Sequence, residues 1–381
     1  SIITTMTLSL VKLTMILLCL QQAGSFYVQN IGLSGGISTR IHNEASQSAN
    51  TFENALQGGL QGGLQGGIRG QRPPSRRQDD KKGSTNPLVL AGPIISTMVG
   101  YHYFPQPLDD MTSSLWKTMY DSPIVQNPMF EASVASGAFV GWIVMWSCMH
   151  LFLGDDTNKW RLDGEKPKEP FLWTKRENWY MWFNPLFSYM GSIYIYHLFH
   201  PHPPLPISPP TFGQLTSEVL FGVILYDALF YPIHYALHNF PLKWFRKQHI
   251  VHHKWSSTLN AVETVQHSYI DGFLQVVVNI IVQQISPFGG PKHPLSRIIH
   301  NVVVTYLLTE SHSGYDLPWM THNVLPSVFG GAPRHEMHHA GGGRYLQQYF
   351  KYLDDALGTG DSEIMREVGN FDGTERQDVW E

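Results

Sequence analysis

The sequence predicts an all-α fold, a polytopic bundle of membrane helices with a histidine-rich cap on its cytoplasmic side. Three observations carry that prediction. Only 15% of the 381 residues are Asp, Glu, Lys or Arg, against about 25% in an ordinary soluble chain. Aromatic residues make up 13%, with 11 Trp, 17 Tyr and 20 Phe, which is heavy for a water-soluble protein. Histidine is the outlier, with 19 residues, 16 of them from His197 onward. A net charge of −4 lacks the basic surplus of a nucleic-acid binder. Cys19 and Cys148 both lie in apolar runs, which excludes a disulfide framework and a cysteine-based zinc site.

Residues 1–24 read from Met6 as a signal or anchor segment. Lys12 precedes a short apolar core, Leu13 to Leu20, and a small-residue exit, too short for the roughly 20 residues of a comfortable span. Residues 25–86 hold a Gln-Gly-Gly-Leu-like repeat from Gln57 and a basic, Pro-rich stretch from Arg69 to Lys82. Such a segment cannot offset its ordering entropy and reads as a disordered linker. Its Ser, Asn and Arg content also fits a transit segment behind a signal peptide, as in algae with complex plastids.

Apolar stretches follow, and residues 87–214 read as N-terminal membrane helices. Leu88–Phe104 is short and interrupted by Pro93; Ala132–Leu153 is uncharged throughout and long enough to cross a bilayer. Phe183–Phe199 and Leu215–Tyr231 are further spans, the second carrying Glu218 and Asp227. Ile270–Ile285 and Ile298–Thr309 flank Pro287-Phe-Gly-Gly-Pro291, which predicts a helical hairpin that spans or dips and returns. Residues 361–381 are an acidic, solvated tail.

Three histidine groups stand out: His234-x3-His238, His249-x2-His252-His253 and His335-x2-His338-His339. On a helix, positions i, i+3 and i+4 share a face, so each group aims its rings at one point. At about 5% histidine, one His-x3-His arises by chance about once, but two His-x2-His-His about a thousandth of a time. The bland alternative, hydrogen-bonded core histidines, suits lone residues such as His102, His150 and His300. Eight clustered imidazoles would each need a buried partner. The two apolar passes between His253 and His335 return the chain to one side, so those two groups can share a site. Lys243, Arg246, Lys247, Lys254, Arg334, Arg344 and Lys351 surround them, which marks the cytoplasmic face. His267 and His312 sit at the two ends of the hairpin as additional ligands. So many imidazoles suit two ions rather than one. An all-imidazole pair embedded in a membrane points to oxygen activation on a lipid.

At these residues the sequence resembles the fatty acid hydroxylase and sterol desaturase superfamily of integral-membrane di-iron oxygenases, over about Leu215 to Thr359. The supporting context is His253-Lys-Trp255, His267-Ser-Tyr-Ile-Asp-Gly-Phe-Leu-Gln275, His312-Ser-Gly-Tyr-Asp-Leu-Pro-Trp319 and Gly330-Gly331. The resemblance implies a catalytic domain at 215–360. Its metal ligands are His234, His238, His249, His252, His253, His267, His312, His335, His338 and His339. It further implies two iron ions, which zinc can replace during preparation, O2 as co-substrate, and a sterol or fatty-acyl substrate that is hydroxylated or desaturated. No His-Pro-Gly-Gly motif of cytochrome b5 is present. Electrons are therefore expected from a separate carrier, such as cytochrome b5 or ferredoxin with NAD(P)H. Features of sterol C5-desaturases and of C4-methylsterol oxidases with cholesterol 25-hydroxylases occur together, and the branch stays open. Ser268 stands where many members have Pro, and Arg334 where an aromatic is common. The expected location is the endoplasmic reticulum, with a plastid membrane as alternative. Glu336, Asp227, Glu263 and Glu310 are the carboxylates that could orient the histidines. A divalent-metal transporter and a zinc hydrolase are the rivals. Transporters favour ligands at mid-membrane, often with carboxylates, whereas these groups end apolar segments beside Lys and Arg.

Overall fold

The computed structural model describes residues 87–162, 176–201, 203–253, 259–341 and 343–360. The expected signal segment, linker and acidic tail, and the basic Lys254, lie outside them. The described residues all fall within one of the two units into which the chain divides. They are helical, with two isolated bridges and no strand among them.

Helix α1 (Pro87–Tyr103) runs straight through Pro93, where the sequence suggested an interruption; the proline removes one backbone donor and the helix continues. Helix α2 (Gln106–Tyr120) follows, then α3 (Phe130–Ser147) and α4 (Met149–Leu153). The apolar run expected as one span over Ala132–Leu153 is therefore two pieces, bent by 40°. The cause is local. His150 Nδ1–H donates to the Ser147 carbonyl at 3.0 Å, and Leu151 N–H bonds Cys148 O instead, so a side chain takes an acceptor from the helix ladder.

After a short 3-10 turn come α5 (Thr157–Trp160), α6 (Arg176–Phe199) and α7 (Phe212–Asn239). Thr211 starts α7 by accepting the Gln214 N–H at 3.0 Å. Among the described residues α7 is the one helix long and apolar enough to cross a membrane, and α3 with its bent continuation makes a second. Helix α8 (Lys243–His253) is short and carries the second histidine group. A 3-10 turn (Ala261–Val265) leads to α9 (Tyr269–Gln283), capped by Ser268.

Helix α10 (Pro294–Ser311) returns antiparallel to α9, completing the hairpin expected around Pro287–Pro291; Ser286 N–H to Gly290 O, 2.7 Å, closes the turn. Almost every side chain of α10 is buried, because α3 and α7 pack on it from two sides. The hydroxyls of Thr305 and Thr309 bond back into their own helix, to Asn301 O and Thr305 O, which satisfies them without an outside partner. Trp142 Nε1–H reaches Val302 O at 3.1 Å, and Arg297 pairs with Glu131, so α3 is pinned to α10 at two levels. The remaining elements are α11 (Thr321–Val324), α12 (Gly331–Gly341) and α13 (Tyr352–Leu357). The expected division at 214/215 falls in the first turn of α7.

Candidate metal centre

The last turns of α7 and α8, the end of α10, and α12 meet at one end of the bundle. His234, His238, His249, His253 and His338 form one set whose donor atoms lie within 4.8 Å of one another; His252, His312, His335 and His339 form a second. Eight of these nine rings are buried and His238 is half-buried. The two sets abut, with the His253 and His339 rings stacked at 4.4 Å. His267 stands outside both sets. It is buried beside His252, ring centres 6.2 Å apart, and neither of its nitrogens has a hydrogen-bond partner among the described residues.

The Nε2 atoms face inward. His234 and His249 approach at 2.9 Å, His249 and His253 at 3.0 Å, His252 and His312 at 3.1 Å, His312 and His335 at 2.9 Å, and His335 and His339 at 3.2 Å. Two imidazole nitrogens bound at right angles to one ion at about 2.1 Å would stand about 3.0 Å apart. His338 Nε2 is buried with no hydrogen-bond partner, an orphan that a metal would satisfy. The donor set, its spacing and this orphan fit two ions of a metal that accepts imidazole.

The outward nitrogens are held. Nδ1–H of His234 donates to Leu346 O (2.6 Å), of His252 to Gln266 O (3.2 Å), of His312 to Leu308 O (2.8 Å) and of His338 to Arg344 O (2.7 Å). His249 Nδ1–H donates to Asp271 Oδ2 at 2.7 Å. With Nδ1 carrying the proton, the lone pair sits on Nε2 and points into the cluster. Burial, followed by neighbouring imidazoles, pushes His249, His253, His335, His338 and His339 well below the usual range; burial takes His252 down to about 4. These rings are neutral at neutral pH, as ligands must be.

Of the carboxylates considered from sequence, Asp227 and Glu310 serve the backbone instead. Asp227 accepts the N–H groups of Gln348, Tyr349 and Phe350 at 2.9–3.2 Å. Asp354 likewise holds Leu346 and Gln347. Together they fix the loop whose carbonyls orient His234 and His338. Tyr345, between those two carbonyls, takes a φ of 53°, a strained backbone for a residue with a Cβ. Glu310 binds Thr321 through its N–H and hydroxyl. Among the described residues, Asp271 is the carboxylate seen to orient a histidine of the two sets. It stands four residues after His267 on the first turn of α9, but its reach to His249 depends on how α8 meets α9. Gly331 opens α12 with a φ of 58°, and a side chain there would collide with the His322 ring, which explains the glycine before the last histidine group.

Residues 219–359 match the family model of the fatty acid hydroxylases, within the superfamily that the histidine pattern resembles. Among its relatives, rat cholesterol 25-hydroxylase is 33% identical over 164 residues, 41% of this chain and 50% of the relative. A cholesterol 25-hydroxylase-like protein of Caenorhabditis briggsae is 26% identical over 251 residues, 64% of this chain and 79% of the relative. A Dictyostelium discoideum protein, provisionally assigned as a methylsterol monooxygenase, is 32% identical over 153 residues, 39% of this chain and 53% of the relative. The chain spans about half the length of the mammalian relatives it matches. No solved structure matches it at a significant level.

Proposed function

We propose that the chain is a membrane-bound, non-haem di-iron oxygenase that uses O2 to hydroxylate a lipid, a sterol before a fatty-acyl chain. The observation that carries this reading is the convergence of nine imidazoles, without a carboxylate among them, in two adjoining sets. The relatives' names as sterol hydroxylases and monooxygenases support the substrate class.

One iron would be held by His234, His238, His249, His253 and His338, the other by His252, His312, His335 and His339, with His267 beside the second. When bound, the pair would supply the oxidation of an unactivated C–H bond by O2. The chain's own part is positional. Asp271 and the carbonyls of 266, 308, 344 and 346 hold the tautomers, and burial keeps bulk water from the reacting carbon. Electrons would come from a separate carrier, cytochrome b5 or ferredoxin with NAD(P)H.

The membrane reading, polytopic with the histidine end cytoplasmic, is supported by α7 and by the large apolar side chains left exposed at Phe152, Phe187, Leu198, Phe199, Phe273 and Phe288. Exposed Leu242 and Trp244 beside Lys243 and Lys247 suit a segment lying at the interface. Residues 215–360 would be the catalytic domain and 87–214 its membrane support. The endoplasmic reticulum is the expected home, a plastid membrane the alternative.

Metal analysis of gently purified protein should return about two ions per chain, and oxidised sterol should form only in air with an electron donor. A reproducible count of one, or undiminished turnover under argon, overturns the reading; the second outcome would favour a hydrolase.

A further inference from the structure

The end of the bundle remote from the histidines holds a second polar site. A cavity of about 300 Å³ lies between α3, α6, α9 and α10, with apolar walls that include Ala135, Ile193, Val276 and Ile280. Its rim includes the exposed His200, Pro201 and Gln284. Its floor is polar. Asn279 Nδ2 and Gln283 Nε2 both donate to Asn301 Oδ1 at 2.9 Å, and all three amides line the cavity. Gln283 Oε1 is left buried with no hydrogen-bond partner among the described residues, on a side chain only 7% exposed. A buried amide oxygen without a donor is costly, so the site is completed by a ligand that donates.

A neutral hydroxyl suits that oxygen better than an anion. Arg297, the guanidinium in the wall, is already paired with Glu131 through two nitrogens, and the amide oxygen would repel a carboxylate. Length supplies a second argument. Asn301 lies on α10 eleven residues before His312, the C-cap of that helix, which is about 17 Å of helix. Between them runs an apolar cluster containing Phe139, Tyr189, Val262, Val265 and Val276. Val276 lines the cavity, and the Tyr189 ring reaches to 6.3 Å from that of His267. A polar anchor, an apolar run and the metal centre thus follow one another over the length of a sterol, from ring hydroxyl to side-chain end.

We propose that the amide cavity receives the ring hydroxyl of a sterol, whose body lies along the seam of α3, α6 and α9 with its side chain toward His252 and His267. This rests on the lipid oxygenase reading above. The test is binding and needs no turnover. Full-length protein in detergent, loaded with redox-silent zinc, is titrated with tritiated cholesterol and with its 3-O-methyl ether, which keeps the oxygen and lacks the donor. Wild type should prefer cholesterol by at least about tenfold, because a site built to bind a hydroxyl rejects the analogue without one. Gln283→Leu should bring the two ligands within about twofold at unchanged metal content. Ile280→Trp, which fills the cavity and leaves the amides in place, should weaken both by at least about tenfold. Equal binding of the two sterols to wild type, or a preference that survives Gln283→Leu, overturns the proposal. Should Gln283→Leu lose its metal through misfolding, Ile280→Trp decides, and undiminished cholesterol binding there overturns it. Discrimination between the sterols with no oxidised lipid product would count against the oxygenase reading and leave this site standing.

Discussion

His338 shows how much one residue carries. Its ring is 4.6 Å from that of His234, 4.9 Å from His238 and 4.7 Å from His253, and its Nδ1–H is held by Arg344 O. His338→Ala, and His252→Ala in the other set, should lower bound metal and cut product to below about a tenth of wild type, with membrane insertion unchanged. Normal turnover at normal expression would remove that residue from the ligand set, while His102→Ala should be nearly silent. Asp271 acts through His249. Asp271→Asn replaces an acceptor with a group that can flip its donor toward His249, and metal affinity should fall about 10–100-fold. Competition with a chelator of known affinity measures it, and an unchanged affinity would reduce Asp271 to its place on the first turn of α9.

At the scale of elements, α7 and α10 approach closely because Gly222 has no side chain. A Cβ there would run into Lys292 Nζ and stand 2.6 Å from His300 Nδ1, and a buried ring has nowhere to retreat. Gly222→Ala should therefore push the two helices apart and destabilise the fold by about 1–3 kcal/mol, seen as a lower melting temperature of the zinc-loaded protein; an unchanged melt would show that Lys292 simply moves aside. The 3-10 turn gives a pH signature. Burial, with the charge of Glu336 adding to it, raises Glu263 to about 8, so the folded state holds a proton that the unfolded chain releases near the ordinary value of 4.5. That stability is fully present below about 4.5 and is lost as pH rises through about 8. In a melting series from pH 5 to 9, Glu263→Gln should gain on wild type as pH rises and level off above 8. Two parallel curves would mean that Glu263 ionises normally.

For the whole molecule, charge bears on sidedness. On the membrane reading proposed above, the basic residues of α8, with Lys243 and Lys247 exposed, would put the histidine end on the cytoplasmic face by the positive-inside rule. In sealed vesicles of known orientation, Lys247→Cys on a Cys19→Ser, Cys148→Ser background should react with a membrane-impermeant thiol reagent only from the cytoplasmic side. Lumenal reaction with activity retained would overturn the orientation and leave the metal site untouched.

The histidine groups were legible in the sequence because ligand spacing on a helix is local: i, i+3 and i+4 share a face wherever the helix is placed. The α9–α10 hairpin was legible too, since a Pro/Gly turn between apolar runs permits little else. Other features depended on contacts between residues far apart in the chain. The partition of nine histidines into sets of five and four follows from how α7, α8, α10 and α12 meet. Asp227 was among the carboxylates the sequence offered to the histidines and Asp271 was not; the packing of α9 on α8 gave Asp271 to His249, and the 348–350 loop took Asp227. The bend after Ser147 depended on one side chain capturing one carbonyl, which no hydropathy pattern records. Local spacing determined which chemistry this chain can hold, while tertiary packing decided which ligand serves which set, because a side chain a few ångströms long reaches only what the fold brings beside it.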